Sequence, residues 1–87
     1  MLNEYFVEMI LECLEADRVN SALCIGQEAM KMYPDDEAIF SVYAAAWEEA
    51  GNLENSLEYY EKAAKLSNKQ SVYDDDIKRV KESIEKK

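Results

Sequence analysis

Phe40-Ser41-Val42-Tyr43-Ala44-Ala45-Ala46-Trp47-Glu48-Glu49-Ala50-Gly51-Asn52-Leu53-Glu54-Asn55-Ser56-Leu57-Glu58-Tyr59-Tyr60-Glu61-Lys62-Ala63 carries the fold of this chain. Its large members are Phe40, Tyr43, Trp47 and Tyr60, and its small ones are Ala44, Ser56 and Ala63. Helices approach closely when large side chains of one meet small ones of the other. The pattern also occurs 34 residues earlier: Phe6 falls on Phe40, Met9 on Tyr43, Ala16 on Ala50, Leu23 on Leu57, Ala29 on Ala63 and Met32 on Leu66. A fixed period of this size marks stacked helical hairpins, each too small to bury its apolar face alone. The expected fold is all-α, with tandem antiparallel hairpins.

Punctuation along the chain predicts five helices. The first runs from about Asn3 to Ala16 and stops at Asp17, a residue also suited to cap the second, Val19 to Met32. Pro34 ends that hairpin, because it lacks an amide hydrogen and disfavours helix in the residue before it. Asp35 and Asp36 supply caps and favourable charge for the third helix, Glu37 to Ala50. Gly51 permits the left-handed backbone that closes a helix, and Asn52 caps the fourth, Leu53 to Leu66. The fifth is expected from Ser71, where Ser71-Val72-Tyr73-Asp74 has capping-box spacing. It carries a single apolar stripe of Tyr73, Ile77, Val80 and Ile84, as a terminal helix with a polar outer side requires.

The second copy, Phe40-x2-Tyr43-Ala44-x2-Trp47-x3-Gly51-x4-Ser56-x3-Tyr60-x2-Ala63, resembles the tetratricopeptide repeat. The likeness covers residues 37–70 well and residues 3–36 less well. In the first copy Phe6, Met9, Ala22, Ala29 and Pro34 fit, whereas Ile10 replaces a small residue, Cys13 an aromatic one and Gly26 the large residue seen at Tyr60. Ile10 and Gly26 read either as a compensating pair, the isoleucine filling the space that the missing aromatic leaves, or as a plain packing defect. The resemblance implies one domain over residues 1–87: repeat one at 3–36, repeat two at 37–70 and a capping helix at 71–87. It also implies a non-enzymatic protein-interaction module, in which the first helix of each hairpin lines a concave groove that receives a peptide.

The first helix adds detail to that expectation. On a wheel of 100 degrees per residue, Glu4, Glu8, Glu12 and Glu15 crowd into an arc of about 80 degrees. The apolar remainder spans about 240 degrees, far more than the roughly 100 degrees a surface helix needs. Phe6, Met9, Ile10 and Cys13 face the neighbouring helices, while Val7, Leu11 and Leu14 form a surplus group. These three fall on groove positions of the resembled family, followed by Ser41, Ala45 and Glu48 on the third helix and Asp75 and Arg79 on the last. The expected partner is a protein or peptide, basic or amphipathic, meeting an apolar strip with an acidic rim. A competing reading makes Val7, Leu11 and Leu14 the seal of a homodimer, the acidic first third also meeting Lys78, Arg79, Lys81, Lys86 and Lys87 of another copy. A third makes the chain an excerpt of a longer array, since about three repeats are usually needed for independent stability.

Composition narrows the alternatives. The 87 residues are 48% hydrophobic and 33% charged, with two glycines and one proline, which describes an ordered helical domain. The net charge of -9 is spread as -6 over residues 1–36, -3 over 37–70 and zero over 71–87. Phosphate backbones and anionic lipid repel such a chain, so nucleic acid and membrane are not expected partners. The absence of histidine removes Ser-His and Cys-His nucleophiles and histidine metal sites, and no phosphate-binding glycine loop occurs; no catalysis, metal or cofactor is expected. Cys13 and Cys24 are expected as free thiols on different faces, which fits a reducing compartment. Glu4, Glu8 and Glu12 interrupt the first apolar segment and the longest apolar run is Val42 to Trp47, so no signal peptide is read and a cytoplasmic location is expected.

Overall fold

A computed structural model describes residues 2–67 and 70–86. Helices α1 (Leu2–Glu15), α2 (Val19–Met32), α3 (Glu37–Glu49), α4 (Leu53–Leu66) and α5 (Asp74–Glu85) follow in order, with a 3-10 turn at Gln70–Tyr73 before the last. No strand occurs among the described residues, and Lys87 of the lysine-rich end lies outside them. The fold is all-α, built from tandem antiparallel hairpins. α1 pairs with α2 and α3 with α4, α3 also lies against α1 and α2, and α5 covers α4. The result is a slab of 36 × 30 × 18 Å.

The two hairpin turns are the same motif 34 residues apart. Asp17 N–H donates to Leu14 O at 3.1 Å and Arg18 N–H to Cys13 O at 2.7 Å; Gly51 N–H donates to Glu48 O at 3.1 Å and Asn52 N–H to Trp47 O at 3.0 Å. This is the Schellman closure, which needs a left-handed residue after the helix. Gly51 provides it at φ 87 and Asp17 at φ 62. Asp17 therefore terminates α1 and does not cap α2, contrary to the sequence expectation; Arg18 holds the N-cap position without a side-chain bond. Asn52 does cap α4, accepting from Asn55 N–H at 3.1 Å. Asp36 caps α3, accepting from Ile39 N–H at 3.2 Å with one oxygen and from Asn3 Nδ2 at 2.9 Å with the other, which ties the starts of α1 and α3 together.

The start of α5 also differs from expectation. The helix begins at Asp74 with Tyr73 at its N-cap position and no side-chain cap bond from that residue, three residues later than expected; the side chain of Ser71, on which the expected capping box rests, lies outside the described residues. Tyr73 is anchored by a tertiary contact: it is 8% exposed and its hydroxyl donates to Glu37 at 2.6 Å. Burial, followed by this hydrogen bond to Glu37, pushes the Tyr73 phenol up to about 12.

Two clusters form the core. Ile10, Ala22, Val42 and Ala46 join α1, α2 and α3; Ala44, Leu53, Tyr60, Ala63, Tyr73 and Val80 join α3, α4 and the α5 region. Each cluster holds equivalent members of the repeat, Ile10 with Ala46 in one and Ala44 with Val80 in the other. At Gly26 the occupant of the space is Tyr43, not Ile10. A Cβ there would overlap Tyr43 Cδ1 and lie 2.9 Å from Cε1, so the absence of a side chain lets the α3 ring rest on the α2 backbone.

Candidate partner-binding cleft

A cleft of about 520 Å³ opens where α1, α3, α4 and α5 converge, lined by Leu11, Leu14, Glu15, Ala45, Glu48, Glu49, Tyr60 and Arg79. Its floor is built by size. Ala45 is small enough to leave a hollow between α1 and α5, Leu11 and Leu14 form one wall, and Tyr60 closes the bottom at 5% exposure. The rim is acidic through Glu15, Glu48 and Glu49, three residues that the helical period brings to adjacent turns of α1 and α3.

Arg79 is the only cation in this lining, and it is already engaged. Its guanidinium grips Glu48 as a fork, Nη2 to Oε1 at 2.8 Å and Nε to Oε2 at 2.9 Å, while Nη1 donates to Asp76 Oδ1 at 2.9 Å. Such bidentate pairs fix geometry as well as charge. The hydrogen bonds to Glu48 raise Arg79 further above its already high value, outweighing burial. Tyr60 donates to Glu48 Oε1 at a long 3.4 Å. Burial, with Glu48 and Asp76 adding to it and Arg79 opposing, pushes the Tyr60 phenol up to about 12. Tyr60 is thus held in its neutral form and Arg79 in its charged one, and the one cation of this lining is neutralised internally, leaving Glu15 and Glu49 as unneutralised rim charges.

Of the eight residues expected on the groove, Leu11, Leu14, Ala45, Glu48 and Arg79 meet in this cleft. Val7, Ser41 and Asp75 are not in its lining. Val7 is half-buried and packs with Leu14 on the Ile10–Ala46 cluster, so both serve hairpin stacking, and the surplus apolar stripe reduces mainly to Leu11, 42% exposed. The Ser41 hydroxyl donates back to Ala38 O at 2.8 Å. Asp75 is exposed in the first turn of α5. Sequence reading missed Tyr60, Glu15 and Glu49 as lining residues; Tyr60 sits on a second helix of a hairpin, reaching the cleft from beneath.

Set against protein-family models, curated proteins and solved structures, the chain matches none. Both cysteines are free, Cys13 half-buried and Cys24 exposed. Among the described residues no helix is long and apolar enough to cross a membrane.

Proposed function

We propose that this chain is a non-enzymatic, tetratricopeptide-like interaction module that receives a basic, amphipathic peptide or helix in the Leu11–Ala45–Arg79 cleft. The observation that carries the reading is the convergence of Leu11, Leu14, Ala45 and Tyr60 from three helices beneath an acidic rim. An apolar side chain of the partner enters the hollow, and lysine or arginine on its flanks meets Glu15 and Glu49. The rim accelerates encounter and sets orientation, while burial in the hollow supplies most of the affinity. The two free thiols and the strong negative charge fit a cytoplasmic protein that binds other proteins.

A fluorescently labelled helical peptide of leucine and lysine tests this reading. Binding should weaken by about tenfold or more in Leu11→Asp, because that residue is already exposed and its loss leaves the core intact. Affinity should also fall with added salt. Backbone amide shifts that map the peptide away from α1, α3 and α5, or equal affinity in Leu11→Asp, would overturn the assignment.

A further inference from the structure

The 34-residue register continues into α5. Tyr73, Ile77, Val80 and Ile84 fall on Ile39, Tyr43, Ala46 and Ala50 of α3, and these in turn on Tyr5, Met9, Glu12 and Ala16 of α1. In the two later helices this row faces the preceding hairpin. Ile39, Ala46 and Val80 are 0% exposed, Tyr43 2% and Tyr73 8%. In α1 the same row is open: Tyr5 is 59% exposed, Glu12 is exposed, and a cleft of about 380 Å³ runs along Met9, Glu12 and Cys13.

The molecule therefore contains both halves of one joint. α4 seats a helix of this register, and α1 is a helix of the same register. We propose that the open row of α1 and the α5-covered face of α4 are complementary ends of a head-to-tail contact between copies of this chain, held apart by α5 and by Glu12. α5 blocks one end by occupying α4. Glu12 blocks the other: it stands where the joint places Ala46 or Val80, fully buried among apolar neighbours, and a carboxylate seated there loses its water without gaining a partner. The rest of the row is compatible. Tyr5 repeats Tyr73, whose hydroxyl donates to Glu37 at 2.6 Å, and Met9 takes the position of Ile77. A joint whose two halves lie on different surfaces does not close at two copies, so releasing both blocks yields chains of molecules.

The test is the mass in solution, by light scattering and sedimentation, of the full chain and its Glu12→Val, Val80→Asp and doubly substituted forms as concentration rises. Val80→Asp charges the buried stripe and lifts α5 from α4. The wild type and both single variants should stay at the 10.0 kDa of one chain. The double variant should climb past two copies, reaching roughly threefold or more in mass without a plateau, and adding Tyr5→Asp should return it to one chain. A folded double variant that remains single, one whose mass stops at two copies, or a Val80→Asp variant that assembles as far by itself would each overturn the proposal. If Val80→Asp costs the helicity of α1 to α4, the series is repeated with Ile77→Ala/Val80→Ala, which weakens the buried stripe of α5 without charging it; the same outcomes decide.

Discussion

Gly26→Ala sets local helix preference against packing, and the two pull in opposite directions by amounts that can be worked out. In the middle of α2, alanine is the better helix former by about 0.5–1 kcal/mol. The new methyl group, however, would overlap Tyr43 Cδ1 and lie 2.9 Å from Cε1 and 3.3 Å from Cγ. The base of the ring is involved as well as its edge, so a small swing of the tip gives no relief. Tyr43 is 2% exposed and is held edge-on by Tyr59 at 4.7 Å and Trp47 at 5.9 Å between centroids. Forcing a methyl group into so closed a site costs about 1–3 kcal/mol. The packing cost exceeds the helical gain, leaving a net loss of about 1–2 kcal/mol. In a domain of this size that lowers the melting temperature by about 5–15 °C. Thermal and urea unfolding followed by circular dichroism measure it, and Tyr43→Leu supplies the control. With the ring gone, Gly26→Ala should stabilise, giving a coupling energy of about 1–3 kcal/mol in the double-mutant cycle. A higher melting temperature for Gly26→Ala in the otherwise unchanged protein would refute the reasoning, because it would mean that Tyr43 does not rest on the α2 backbone.

The paired turns give opposite outcomes under mirror-image changes. Asp17→Gly should stabilise by about 0.5–1 kcal/mol, since aspartate is held at φ 62, whereas Gly51→Ala should destabilise by about 1–2 kcal/mol although nothing lies within 4 Å of its Cβ position; the same melts read both. Asp36→Ala removes the α3 cap and the acceptor of Asn3, for a loss of about 1–2 kcal/mol in urea unfolding. Tyr60 and Tyr73 have folded values of about 12 against an ordinary 10.0, so the neutral phenol is the form the fold favours. Their contribution is complete below pH 10 and is lost as pH rises from 10 towards 12; urea midpoints should fall across that window, and less steeply in Tyr73→Phe.

What the sequence made legible, and what it hid, follows from whether one residue type points to one geometry. Gly51 signals a left-handed closure because glycine adopts that backbone freely. Asp17 does the same task but reads equally well as an N-cap, and only the backbone bonds of Arg18 to Cys13 and Asp17 to Leu14 separate the two. Ile10 and Gly26 look compensatory by size alone. The distinction lies in direction: Ile10 belongs to the cluster with Ala22, Val42 and Ala46, while Gly26 faces the ring of Tyr43. The periodic register brought Leu11, Ala45, Glu48 and Arg79 to one side of the slab, which is a matter of helical angle. That Glu48 and Arg79 join each other depends on the distance from α3 to α5, and a register contains no distances.

That pairing links the cleft to the integrity of the fold. Two hairpins alone supply less buried surface than repeat stacks generally need, and α5 supplies the missing cover through Val80 at 0% exposure, with Ile77 and Ile84 beside it. On its polar side α5 is tied to α3 by the Arg79–Glu48 fork, and the turn before it by the Tyr73–Glu37 bond. The fork is partly exposed, at 48% and 24% of its two side chains, and is worth no more than about 1 kcal/mol. Its small worth is what makes it exchangeable. Under the proposed function, a partner cation at Glu48 would replace Arg79 at little net cost, while the buried stripe keeps α5 in place. Under that proposal the wall of the cleft trades an internal ion pair for an external one without unfolding, and the charge-dependent gain of a basic partner over a neutral one comes from Glu15 and Glu49.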